Sequence, residues 1–146
     1  MVILNLTRQS VLARNAFPAA GFRDRLRGLI GRKFSGSMDG MVFGRCNAIH
    51  TFFMRYPIDV IFAGEKYRVL KAVPAFPPWR PFLACPKACY VIELPAGTLA
   101  SSGTETGDQL DLTGALSQEA FKRFPCGKLL EVRQTESCPA EADPDR

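Results

Sequence analysis

The sequence predicts an α+β domain that is mostly β, and three observations carry that prediction. At 146 residues and 47% hydrophobic, the chain has room for one sizeable core and not comfortably for two. Short apolar runs of strand length recur between clusters of Gly, Pro, Asn and Ser, the pattern of strands joined by turns. Apolar residues at helical spacing stand out only around 22–31 and 116–124, so one or two helices are expected to pack on the strands.

Residues 2–6 read as a first strand. Phe17 and Pro18 with the following Ala-Ala-Gly read as a breaker before a helix, whose apolar face is Phe22, Leu26, Leu29 and Ile30. Arg23, Arg25, Arg27 and Arg32 project from the rest of it. Residues 41–44 and 48–54 look like strands, with Ser35-Gly36-Ser37 and Asn47 supplying turns. Residues 57–63 follow, and Gly64-Glu65 is placed to close a hairpin onto 67–73. Between 74 and 86 lie five prolines with Phe76, Trp79, Arg80 and Phe82 among them, which rules out a helix or a central strand. Its aromatic side chains predict an ordered loop docked on the body. Strand patterning resumes at 89–94, passes a short helical turn near 98–102 and returns at 109–112. An amphipathic helix around 116–124 and a strand at 128–132 complete one globular domain, 1–132. Residues 133–146 read as a disordered acidic tail.

The net charge is +5, but residues 131–146 hold five acids against two arginines, net −3. The basic excess sits near the start, where it suits phosphates, acidic lipids or an acidic protein surface, or is simply a solvated face. No aromatics interleave with those arginines, which argues against single-strand nucleic-acid stacking there. Arg8 interrupts the apolar start before a signal h-region forms, and no run reaches transmembrane length. With Met1 as the true start, a cytoplasmic protein without membrane insertion is expected. Five scattered cysteines, an odd number, read as free thiols.

Strand alternation puts His50, Phe52 and Met54 on one face and Thr51 and Phe53 on the other. Asp59 and Glu93 are isolated acids in apolar runs, costly there without a partner. If their strands are neighbours, the two carboxylates could share one surface, as acid-base catalysis or a hard-metal site requires. The structural alternative pairs each with an arginine, Arg27 or Arg55, with Arg27 expected for Glu93. His50 is the single histidine, so multi-histidine metal sites are excluded and no metal or cofactor is assigned. Cys46 lies four residues before it, but no third group orients a dyad. Cys85 and Cys89 form one C-x3-C pair without a second. Gly107-Asp108 reads as architectural: a glycine for a tight turn, then an acid accepting nearby backbone amides.

Taken with their order, these stretches resemble the domain-of-unknown-function 192 family (DUF192, also called UPF0127). The resemblance covers about 22–112 and rests on Arg27-Gly-Leu29, Gly40-Met-Val-Phe43, Phe53-Met54, Pro57-Ile-Asp-Val-Ile-Phe62, Val91-Ile-Glu-Leu-Pro-Ala-Gly97 and Gly107-Asp108. It implies a small, partly closed, cradle-loop-like β-barrel carrying one or two helices. It also implies that Arg27, His50, Met54, Asp59 and Glu93 occupy family-pattern positions, without a general catalytic assignment. Many relatives carry an export segment that this chain does not show, and an accessory role beside pilus or secretion systems is an association only.

The leading expectation is therefore a non-catalytic binding or assembly domain. Its candidate groove comprises Arg27, His50, Met54, Asp59, Glu93 and Trp79, and its partner would be a protein or small molecule. The alternative is an uncharacterised hydrolase or metal-dependent enzyme using Asp59, Glu93 and His50. A weaker one is nucleic-acid backbone binding by the arginine-rich helix. Ligand identity, catalysis and oligomeric state stay open.

Overall fold

The computed structural model describes residues 1–19, 29 and 34–112. The helix expected at 22–31, with Arg27, therefore lies outside the described residues except for Leu29. So do the 116–124 helix, the 128–132 strand and the acidic 133–146 stretch.

Three strands, β4 (Gly40–Gly44), β9 (Tyr90–Pro95) and β6 (Ile58–Ala63), form the middle of a five-stranded sheet. Their apolar runs are continuous rather than alternating because both faces are covered, and β4 and β6 are buried throughout. The sheet is edged by β3 (Ala16–Pro18), parallel to β4, and by β7 (Val69–Phe76), antiparallel to β6. A second sheet has β1 (Ile3–Asn5) between β2 (Ser10–Ala13) and β10 (Leu110–Asp111). A two-residue ribbon pairs β5 (Ala48–Ile49) with β8 (Leu83–Ala84). A single turn of helix, α1 (Thr98–Ser102), follows β9.

The five-stranded sheet separates two cores. On one face Val42, Ile61, Ile92 and Leu94 meet Ile3, Leu12 and Leu110 of the smaller sheet, with Leu99 of α1. On the other, Met41, Phe43, Val60, Phe62 and Val91 are covered by Leu29, Met54 and the half-buried side chains of the β5 and β8 ribbon. Close approach sets the position of β4. A Cβ at Gly40 would fall 3.2 Å from Ala13 Cβ and Leu94 Cδ2 and 3.3 Å from Ala16 Cβ, so any larger residue there requires these neighbours to give by a few tenths of an ångström.

The two larger sheets join at one corner. An Arg68–Gln109 bridge links them, and Gly107 N donates to Val69 O at 2.8 Å while Val69 N donates to Asp108 O at 2.9 Å. Gly107 makes this turn at φ 97°, a region closed to most side chains. Asp108, nearly buried, accepts from Asn5 Nδ2, Glu105 N and Arg8 Nε. Burial pushes its carboxyl up, but the bonds from Asn5, Glu105 and Arg8 outweigh that and hold it below the ordinary range. The pairings among the described residues make three sheets with no closed ring of strands. Among those residues no helix is long and apolar enough to cross a membrane.

Several sequence readings change. β2 is a strand that alternation does not disclose. Phe17 and Pro18 close the short edge strand β3 instead of merely breaking the chain, and proline is tolerated at such an edge. The strand expected over 48–54 ends at Ile49, because Met54 N turns back to Thr51 O at 3.3 Å. The face assignment of His50, Phe52 and Met54 fails with it. β7 runs on through Pro74 to Phe76, which its edge position permits.

Candidate functional site

Antiparallel pairing decides the fate of the two acids. Asp59 faces Leu94, and Val60 faces Glu93. Directly paired residues share a face and successive residues alternate, so Asp59 and Glu93 point to opposite sides of the sheet. The shared carboxylate surface expected from the sequence does not form.

Asp59 is fully accounted for. The β6–β7 register shifts between Ile58 and Val60, where Pro74 and Ala75 insert one extra residue into β7; Ala75 sits at φ 46°. Such a bulge frees an amide. Ala75 N donates to Asp59 Oδ1 at 2.8 Å, and Leu99 N in the first turn of α1 donates to Asp59 Oδ2 at 2.7 Å. The partners are backbone amides, not the arginine that the structural reading expected. One carboxylate thus locks the bulge and caps the helical turn, where helix ends leave amides unpaired.

Glu93 is the opposite case. It pairs in register with Met41 and Val60, is 4% exposed, and its Oε2 has no hydrogen-bond partner among the described residues. Desolvation pushes its carboxyl up to about 8, so near neutrality it is mostly protonated. The expected ion pair is absent among the described residues; Arg27 lies outside them.

One step along the same face, Ile58 pairs with Pro95, and these two residues help to line a cavity of about 400 Å³. Leu29, Met54, Tyr56 and Ala96 supply further apolar wall, and Arg55 stands among the lining residues as a cation. Met54 is a buried part of the second core as well as of this wall.

Beyond the cavity the chain presents rings to solvent. Phe53 is 62%, Trp79 58% and Phe82 69% exposed. Phe53 and Trp79 meet edge-on at 5.1 Å, Phe52 lies 6.3 Å from Phe53, and the His50 ring is 5.7 Å from Phe52. His50 is thus an exposed member of an aromatic ledge. Cys46, once considered beside it, gives its thiol to Ala48 O at 3.2 Å.

The ledge is held by a residue that sequence reasoning passed over. Thr51 is buried; its N donates to Arg80 O at 2.9 Å and its O accepts from Trp79 N at 2.8 Å. Its hydroxyl donates to Pro77 O at 2.8 Å and accepts from Arg80 N at 3.0 Å. These bonds hold Phe53 and Trp79 at φ 62°, a conformation rare for bulky residues. No one-dimensional pattern marks a threonine that bonds across 26 residues. The proline-rich composition of 74–86 was the available hint that the partner segment is ordered.

Cys85 and Cys89 are free thiols and, like Cys46, half-buried. Burial first, then the charge of Glu65, pushes the Cys89 thiol up, away from the thiolate form that metals and electrophiles need. Among the described residues no three His, Cys, Asp or Glu side chains converge as a metal site.

Comparison with known proteins adds a family and a fold. The DUF192 model, described as uncharacterized ACR, matches residues 5–112, extending the likeness back through β2 to Asn5 at the end of β1. A UPF0127 protein of Pyrococcus horikoshii is 43% identical over 67 residues, covering 45% of this chain and 57% of that relative. A UPF0127 protein of Thermococcus sibiricus is 41% identical over 68 residues, covering 46% and 44% respectively. The matched stretch thus spans about half the length of these curated relatives. A crystal structure of a protein of unknown function from Novosphingobium aromaticivorans shares the fold, with a TM-score of 0.66 at 24% identity over 75% of this chain and 82% of that one.

Proposed function

Taking as premise that the chain belongs to the DUF192 family, we propose that it is a non-catalytic binding module whose recognition surface is the aromatic ledge with the adjoining apolar cavity. The observation that carries this reading is the Thr51 knot, which holds large rings exposed in backbone conformations that cost energy. Solvent gains nothing from such an arrangement. A partner gains preformed apolar area without having to order it. Exposed contiguous apolar surface of this kind marks interaction sites.

The hydrolase reading draws no support from the carboxylates. Asp59 is held by two amides on one face of the sheet, Glu93 is enclosed on the other, and His50 stands exposed on the ledge. A general acid and base have to reach one reacting group. The joint between Arg68 and Gln109 supports describing the two larger sheets as parts of a partly closed barrel.

Native mass spectrometry of the tagged full chain from its own cells tests the binding reading. The expected result is a specific adduct, weakened in Phe53→Asn, which suits the left-handed backbone, and in Ala96→Phe, which fills the cavity wall. An adduct spectrum that neither substitution changes, or none at all, overturns it.

A further inference from the structure

Resting on that binding reading, we propose that the ledge docks on an anionic lipid surface, seating Phe53, Trp79 and Phe82 at the headgroup level with Arg55 and Arg80 against lipid phosphates. Charge complementarity is the first argument. Segments 45–57 and 77–89 contain Arg45, Arg55, Arg80 and Lys87 and no Asp or Glu. Arg55 and Arg80 are exposed, and the ion pairs of Arg8 with Glu105 and Asp108 involve neither of them. Basic side chains beside an apolar surface are what an anionic leaflet attracts.

Ring geometry is the second. Neighbouring rings are tilted by 49° and 64°, so the ledge offers edges and corners rather than a series of parallel faces. Single-stranded nucleic acid needs open faces on which successive bases stack. The interfacial zone of a bilayer accepts Trp, Tyr and Phe as amphipathic wedges and makes no such demand. Tyr56, 49% exposed beside Arg55, extends the wedge towards the cavity. Docking of this kind is peripheral and needs no membrane-spanning segment.

Trp79 is the single tryptophan, so its emission reports this surface alone. The full chain is mixed with vesicles of phosphatidylcholine alone, or of phosphatidylcholine with phosphatidylglycerol, and followed by fluorescence and co-sedimentation. Expected are a blue shift and sedimentation with the anionic vesicles only, both weakened by added salt. Arg55→Gln and Arg80→Gln should each lower partitioning about fivefold, and the double variant about 25-fold. Phe53→Asn with Phe82→Ser should abolish the blue shift while leaving the thermal melt unchanged, which separates docking from folding. No binding to anionic vesicles at low salt overturns the proposal. So does Trp79 quenching by oligothymidylate without vesicle binding, which assigns the ledge to nucleic acid. If vesicles fail but a specific adduct sensitive to Phe53→Asn is found, the lipid assignment falls and the binding reading stands; if both fail, both fall.

Discussion

The two faces of the central sheet treat their buried acids in opposite ways. On the face packed against the smaller sheet, Asp59 accepts two backbone amides, and Asp108 at the joint accepts from Asn5, Arg8 and Glu105. On the other face Glu93 is buried with an oxygen that has no partner among the described residues, and the cavity lined by Ile58 and Pro95 opens on that face. The contrast teaches where this fold is tied together and where it is left open. Satisfied carboxylates fix bulge, helical turn and corner, while the unsatisfied one ties nothing together among the described residues.

The largest effect expected from this contrast is on the pH dependence of stability. Glu93 rises from an ordinary 4.5 to about 8 on folding, so the folded state keeps a proton that the unfolded chain releases. Stability therefore falls as pH rises from about 4.5 to about 8, by up to about 5 kcal/mol. Glu93→Gln removes that titration, so urea unfolding should find wild type and variant alike near the acid limit and the variant more stable above about 8. Parallel pH curves would show that Glu93 has a charged partner after all.

Next in size is Asp59→Ala. It strands the amides of Ala75 and Leu99, at about 1–3 kcal/mol each, so a loss of about 3 kcal/mol is expected in denaturant unfolding. A loss below about 1 kcal/mol would mean that water replaces the carboxylate and that the two faces differ less than their hydrogen bonds suggest.

Asp108→Ala should cost about 2 kcal/mol by leaving Glu105 N unpaired and Asn5 Nδ2 with only its bond to Thr104 Oγ1. Because the Asp108 carboxyl is held below its ordinary range, its contribution is present above the unfolded value and lost as pH falls. The wild-type advantage over the variant should thus shrink in acid, opposite in sign to the Glu93 effect.

Smallest is the exposed side. Phe53→Asn should leave the unfolding free energy within about 0.5 kcal/mol of wild type in denaturant unfolding. A larger fall would make the ledge a structural element and erase the division between the faces.

Much of this was legible in the sequence, for physical reasons that differ by element. The strands at 41–44, 58–63 and 90–94 announce themselves because burial on both faces makes their apolar runs continuous. The turn of α1 and Gly107-Asp108 are local, and local chemistry is readable. What the chain did not disclose depends on register. Asp59 and Glu93 are each at the centre of an apolar run, and only the pairing of Val60 with Glu93 puts them on opposite faces. A shift of one residue would have brought them together. Likewise one partner of Asp59 exists because Pro74 and Ala75 bulge and the other because α1 brings Leu99 N to it, and the role of Thr51 exists because 77–80 folds back on it. His50 and Met54 were singled out together, yet the turn at Thr51 sends one to the ledge and the other into the second core.

The Thr51 knot touches only backbone atoms of its partner segment: the carbonyls of Pro77 and Arg80 and the amides of Trp79 and Arg80. None of its bonds depends on which side chains occupy positions 52, 53, 79 and 82. The scaffold can therefore be inherited unchanged while the rings are exchanged one by one, as framework and hypervariable loops are separated in an antibody. Substitution at these four positions can thus change the exposed surface while leaving the knot's own bonds in place.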